Sequence, residues 1–344
     1  MMKDSVKYVA FAVILLIFSA GCKRIPLYDR STRVDIIIDL DRELDHDIVM
    51  SVDKPLEKIY TDKIEGVIPP YYEVLVYDKL TDDLVTSSIV GEKGGSLSVF
   101  PGEYHLVIYS FGTESTQLKD LHNRDLANAF TTDITSSKGQ IIKSKVNKSD
   151  IKSSSKGYED DPIINEPDHL YTSNEMDVTI DAFIGGEQSV TIHTTVSSIL
   201  DVYSLEVLNI KGAANIEKVE AFVTGQILSN YLGRPERDNS PATLYVDMSV
   251  DVENSRLYTV FNTFGKLPGE ENNIFLDITV TDSGGGQYRY IYDVTDQFDD
   301  PGNKDHQLII DGEMVDIPKA EHGGGGFDPI VDEWEREDID VPLT

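Results

Sequence analysis

YYEVLVYDKLTDDLVTSSIVGEKGGSLSVFPGEYHLVIY, Tyr71–Tyr109, decides the fold class. Tyr71–Tyr77 (YYEVLVY) and Tyr104–Tyr109 (YHLVIY) are rich in β-branched and aromatic residues, the composition of strands. Between them Leu84–Val90 and Ser96–Phe100 form two more short runs, separated by Gly94-Gly95 and closed by Pro101-Gly102. Pro-Gly is a turn dipeptide, because Pro presets one φ and Gly accepts the positive φ that follows. Short strands with a turn every ~8–12 residues are the pattern of an all-β sandwich.

The same pattern runs outward on both sides. Upstream, Arg33–Leu40 (RVDIIIDL) reads as a strand and Asp41–Asp47 as a charged turn, while Pro55 and Gly66 break any long helix in Ile48–Ile68. Downstream, Lys138–Lys156 holds six Lys, one Asp, many Ser and no aromatic residue, the composition of a solvated loop. Asp160-Asp161-Pro162 to Pro167 then punctuates the chain. The second half reads as strands at Met176–Phe183, Ser189–Val196, Val202–Ile210, Val219–Thr224 and Thr243–Val250. Arg256–Phe264, Ile274–Thr281, Gln287–Val294 and Gln307–Ile310 complete the set, and Asp177–Asp181 and Leu244–Met248 alternate with period two. The expectation is two β-sandwich domains in series, residues 33–165 (with the loop 138–156) and 166–320, without a visible sequence repeat. A glycine spacer and an acidic tail, residues 321–344, follow. In that tail Trp334 is the only Trp, and Ile339, Val341 and Leu343 alternate with Asp340 and Pro342 as an extended edge strand does.

At the other end, Lys3 and Lys7 precede an apolar run from Tyr8 to Phe18, too short to span a bilayer. Ser19-Ala20-Gly21-Cys22 follows and resembles the lipobox of bacterial lipoproteins. The resemblance implies removal of residues 1–21, acylation of Cys22, and a short tether over residues 22–32. Cys22 is the only cysteine, so no internal disulfide can form and hydrophobic cores must hold the fold. Residues 1–21 hold two Lys and one Asp, and without them the balance is 28 basic against 60 acidic residues, a net −32. So acidic a chain repels nucleic acid and anionic head groups, which leaves acylation as the route to a membrane.

No constellation for catalysis emerges. Thr281-Asp282-Ser283-Gly284-Gly285 resembles the segment around the nucleophile of trypsin-like proteases, but neither His169 nor His193 has the setting of a catalytic base, and the position between two strands reads as a hairpin turn. Asp45-His46-Asp47 and Asp299-Asp300-Pro301-Gly302-Asn303 offer metal-ligand atoms without the converging ligand spacing of a metal site, so both read as solvated surface. Tyr288, Tyr290 and Tyr292 share one strand face, either as a sugar-stacking platform or as the cover of a sandwich. No cofactor and no small-molecule substrate are expected.

Several strings in order resemble the lipid-anchored fimbrial anchor and assembly proteins of Bacteroidales, relatives of the fimbrillins. They are the lipobox ending at Cys22, Val99-Phe100-Pro101-Gly102-Glu103-Tyr104-His105-Leu106-Val107, Glu166-Pro167-Asp168-His169-Leu170-Tyr171, Asp293-Val294-Thr295-Asp296-Gln297, Gly325-Gly326-Phe327 and Val331-Asp332-Glu333-Trp334. The resemblance implies two tandem transthyretin-like (Greek-key) β-sandwiches without a catalytic site. It implies an outer-membrane lipoprotein, anchored through Cys22 and exposed at the cell surface, whose partner is a fimbrial subunit. Strand addition at a sheet edge would join the two. The tail, with Trp334, Ile339, Val341 and Leu343, would either supply a strand to that partner or complete its own second domain. The alternative function is a surface lipoprotein that binds glycans.

Overall fold

The structure, a computed structural model, describes residues 31–41, 68–110, 113–132, 134, 161–181, 189–269, 272–303 and 306–319. Among these the chain is all-β, with nineteen strands, one five-residue helix and one 3-10 turn. The strands begin with β1 (Thr32–Leu40), β2 (Tyr71–Asp78), β3 (Leu84–Gly91), β4 (Gly94–Val99) and β5 (Gly102–Ser110). Then come β6 (Thr116–Lys119), β7 (Asn128–Thr131), β8 (Ile163–Ile164), β9 (Tyr171–Ser173), β10 (Met176–Ile180) and β11 (Ser189–Ser198). The second half adds β12 (Asp201–Leu208), β13 (Ile216–Ile227), β14 (Ser229–Tyr231), β15 (Pro241–Asp251) and β16 (Arg256–Thr263). It ends with β17 (Phe275–Asp282), β18 (Gln287–Asp293), the helix α1 (Thr295–Asp299) and β19 (Gln307–Asp311).

The N-terminal unit has the strand order β10-β5-β2-β3-β4-β1-β11. β3 and β4 meet only at Gly91 and Gly94, so the sheet folds over there into two layers. Val34, Ile36 and Ile38 of one layer then face Val74, Val76, Leu106 and Ile108 of the other. β9 bonds both β5 and β11 and closes one seam of this unit. β2 and β5 are buried on both faces, which is why they read as near-continuous apolar runs rather than as an alternation.

The C-terminal unit has the order β18-β17-β13-β15-β16-β12-β19. Strand for strand, this is the plan of the N-terminal unit. In both, the first strand lies antiparallel to the fourth and parallel to the last, β1 with β4 and β11, β12 with β16 and β19. The duplication is topological, and the sequence carries no repeat that shows it. β15 pairs with β13 up to Met248 and with β16 over Ser249–Asp251, and this is where the second sheet folds over. Leu205, Val207, Leu257 and Phe261 thereby pack against Val219, Val223, Leu244, Ile278 and Val280.

The division between the units is later than the boundary expected at 165/166. β9, β10 and β11 lie beyond that point and hydrogen-bond into the N-terminal sheet. The reason is that β1 takes its last partner, β11, from far along the chain, and a local pattern of strands does not say which sheet each one joins. The units also interlock. β14 joins β7 and β6 in a small third sheet, β8 runs parallel to β15, and Leu75, Tyr77, Val107 and Tyr109 share a core with Ile227, Leu232 and Phe264.

Candidate functional site

The residues singled out by sequence, Cys22, Trp334, Ile339, Val341 and Leu343, lie outside the described residues, as do Asp45-His46-Asp47 and the segment 138–156. The protease-like string is the turn between β17 and β18, where the Asp282 carboxylate accepts the backbone N–H groups of Gly284 and Gly286, each at 2.8 Å. Tyr288, Tyr290 and Tyr292 are partly buried against the C-terminal core rather than arrayed as an open platform. The Asp299–Asn303 segment is a turn in which the Asp300 carboxylate caps the Gly302 N–H and Asp299 pairs with Lys266.

Two sheet edges remain at the ends of the C-terminal strand order, and they differ. Among the described residues β18 pairs only with β17, through seven residue pairs, and exposes Ile291 on its surface. β19 is closed by side chains. Gln297 donates to the Ile309 carbonyl at 3.0 Å and accepts the Ile309 N–H at 2.8 Å. Asn303 does the same for Gln307, at 2.9 Å on both sides. Each carboxamide thus stands where the peptide group of a neighbouring strand would stand. α1 places Gln297 because its Phe298 is anchored in the core against the ring of Tyr203, with centroids 4.6 Å apart. Gln297 belongs to the string Asp293–Gln297 noticed in the sequence, whose spacing alone gave no hint of this contact.

Glu166–Tyr171 ties the two units together. The Glu166 carboxylate accepts the Asn262 N–H at 2.9 Å, and the Asn262 amide donates to the Pro167 carbonyl at 3.2 Å. The Asp168 carboxylate accepts three successive backbone N–H groups, from Glu114 at 2.5 Å, Ser115, and Thr116 at 3.2 Å. Leu170 then enters the core between the units and Tyr171 the N-terminal core.

A charged seam flanks a cleft of about 530 Å³ lined by Arg124, Asp125, Asn174, Glu175, Gly233 and Arg234. Arg124 pairs with Glu175, with Asp82 at 2.7 Å and with Asp125 at 2.8 Å. Lys79 holds Asp177 at 2.6 Å, and that bond lowers the Asp177 carboxyl pKa and raises that of the Lys79 ammonium. His105 faces Glu175 and Asp177 with its Nδ1. These three residues offer the one group of converging metal-ligand atoms among the described residues.

Residues 63–247 match the family described as a domain of unknown function (DUF5119), over more than half of the chain. The chain belongs to that family. This DUF5119 chain matches no curated protein. A candidate adhesin from Bacteroides ovatus ATCC 8483 is 17% identical, with a TM-score of 0.54 over 85% of this chain and 97% of that one, so the two share a fold. Other structural neighbours include the fimbrial anchor protein Mfa2 from Porphyromonas gingivalis, at 10% identity and a TM-score of 0.43 over 81% of this chain and 90% of that one. Another comes from Bacteroides thetaiotaomicron VPI-5482 and is described as a candidate polysaccharide-binding protein, at 10% identity and a TM-score of 0.45 over 81% and 89%.

Proposed function

We propose that this chain is a non-enzymatic lipoprotein of the outer membrane that anchors or assembles a cell-surface fimbria and binds a fimbrial subunit by strand addition. The observation that carries the proposal is the asymmetry of the edges. β19 is closed by Gln297 and Asn303 and the N-terminal seam by β9, whereas among the described residues β18 offers a seven-residue edge paired on one side only, longer than the five-residue edge of β10. An unpaired edge presents a row of N–H and C=O groups that an extended segment of another chain can complete. β18 is therefore the acceptor, and the incoming strand belongs to the fimbrial subunit.

The shared strand order of the two units supports reading them as tandem transthyretin-like sandwiches. The adhesin that shares the fold supports a binding role at the cell envelope. In this reading acylated Cys22 holds the assembly at the membrane. The tail with Trp334, Ile339, Val341 and Leu343 supplies a strand to a neighbour, or returns to its own unit.

The test combines two variants in the native host. Cys22→Ala removes the acylation site, and fimbriae are then expected in the medium rather than on the cells. Ile291→Lys places a charge on the exposed face of β18 and is expected to leave the protein folded while abolishing its complex with the subunit. Cell-bound fimbriae with Cys22→Ala would remove the anchoring role. An intact complex with Ile291→Lys would remove β18 as the acceptor.

A further inference from the structure

We infer that His105, Glu175 and Asp177 form a binding site for a first-row divalent metal ion, Zn²⁺ or Mn²⁺, at the seam between the two units. This inference is independent of the fimbrial reading.

The ligand geometry follows from sheet register. His105 on β5 and Asp177 on β10 are directly opposed in the antiparallel ladder, so their side chains emerge together on one face. Glu175 lies two residues before Asp177 and is pinned by its own N–H, which donates to the Gly233 carbonyl at 2.9 Å. The backbone thus brings His105 Nδ1, Glu175 Oε1 and Asp177 Oδ1 to lie within 4.8 Å of one another.

Nδ1 is 2.7 Å from Asp177 Oδ1 and 3.0 Å from Glu175 Oε1. Neither contact has the angle of a well-formed hydrogen bond, although His105 is only 8% exposed. Three electron-rich atoms that converge in this way need a positive charge between them. A proton on Nδ1 lies in the imidazole plane along the outward bisector, where it meets neither oxygen at a good hydrogen-bond angle. A metal ion between the three atoms reaches all of them at once.

The surroundings agree. Lys79 and Arg124 occupy the other oxygens, Asp177 Oδ2 and Glu175 Oε2, so the two ligand oxygens stay turned toward the imidazole. With a neutral ring, Asp82, Glu175 and Asp177 outnumber Lys79 and Arg124 by one charge, while Asp125 beside Arg124 is matched by Arg234 at 3.9 Å. A dication offsets that excess. Asp82 sits 3.9 Å beyond Nε2, on the side where metal-bound imidazoles commonly meet an orienting carboxylate. One nitrogen and two carboxylates suit Zn²⁺ or Mn²⁺ better than Ca²⁺, which prefers all-oxygen shells. The half-exposed Asp177 leaves the outer positions to water.

The test is calorimetric titration of the full chain, stripped with chelator, using ZnCl₂ and MnCl₂ in turn. One ion per chain is expected, with a thermal midpoint that rises with metal concentration. His105→Gln and Asp177→Asn should each weaken binding at least about tenfold, while His193→Gln, on the exposed face of β11, leaves it unchanged. Asp177→Asn alters a half-exposed side chain and keeps the test readable if His105→Gln does not fold. No heat and no thermal shift at millimolar metal would overturn the site, and so would equal binding by the wild type and both site variants.

Discussion

The carboxamide of Gln297 occupies both free backbone groups of Ile309, donating to its carbonyl at 3.0 Å and accepting its N–H at 2.8 Å. A side chain here does what a neighbouring strand does, and it does so on the last strand of the sheet. With Asn303 on Gln307, it fills backbone groups with which another strand would otherwise pair.

Gln297→Ala is therefore expected to act in two ways. Two hydrogen bonds are lost, which costs about 1–2 kcal/mol of stability in urea unfolding. The Ile309 edge also opens, so the variant should self-associate at concentrations where the wild type is monodisperse in light scattering. Gln297→Glu keeps the acceptor and loses the donor, and its effect should fall between the two. A monodisperse Gln297→Ala would show that the carboxamide is not what guards β19.

Asp168 gathers three backbone N–H groups from Glu114, Ser115 and Thr116 into one carboxylate, and through Glu166 the same linker reaches Asn262 in the other unit. Hydrogen bonds to a charged acceptor are the stronger kind, at about 1.5–3 kcal/mol each, although a polar replacement recovers part of that. Asp168→Asn should lower stability by about 1–3 kcal/mol. It should also speed hydrogen exchange at Ser115 and Thr116 before any other region. Uniform acceleration across both units would mean that the linker has no local role.

Much of this architecture was legible in the sequence. Tyr71–Tyr77 and Tyr104–Tyr109 were plain because β2 and β5 are buried on both faces, and Gln287–Val294 was plain because the turn beside it carries Asp-Ser-Gly-Gly-Gly. The assignment of strands to sheets was not legible. The pairing of Arg33 with Ser189 joins residues far apart in sequence, and nothing local to Ser189–Ser198 distinguishes it from a strand of the second unit. The edge caps were hidden for a similar reason. Gln297 and Asn303 are ordinary polar residues until the fold sets them beside Ile309 and Gln307. Gly94-Gly95 read as a turn, whereas the strand β4 begins at Gly94 and the turn lies at Glu92-Lys93.

That last difference has a steric cause with its own prediction. Gly94 has φ +100°, and a Cβ there would overlap the Ile36 carbonyl oxygen on β1. The obstruction is backbone, so no rotamer relieves it. Gly94→Ala should cost more than about 1 kcal/mol, because the strain of positive φ adds to displacement of the β1–β4 pairing. Gly285 also has positive φ but meets nothing within 4 Å, so Gly285→Ala isolates the conformational part. Equal unfolding midpoints for the two variants would remove the clash from the account.

The turn at Asp282 ties part of the acid stability of the β17–β18 hairpin to one carboxylate, beside the Arg289–Asp277 pair that also joins its two strands. Backbone N–H groups of Gly286 and Gly284 and the Tyr288 hydroxyl all donate to it, and these bonds lower its pKa. A carboxyl whose pKa is lower folded than unfolded contributes stability above its unfolded pKa and loses it as pH falls through the folded one. The loss therefore falls below about pH 4. Asp282→Asn removes the titration, so its urea midpoint should lie below the wild type at pH 7 and converge with it toward pH 2. Tyr288→Phe removes one donor of the three and should shift the acid limb in the same direction by less. Curves for wild type and Asp282→Asn that stay parallel through the acid range would exclude this carboxylate as the source. Convergence would tie the acid loss of stability to the Asp282 carboxylate in the turn that carries β18.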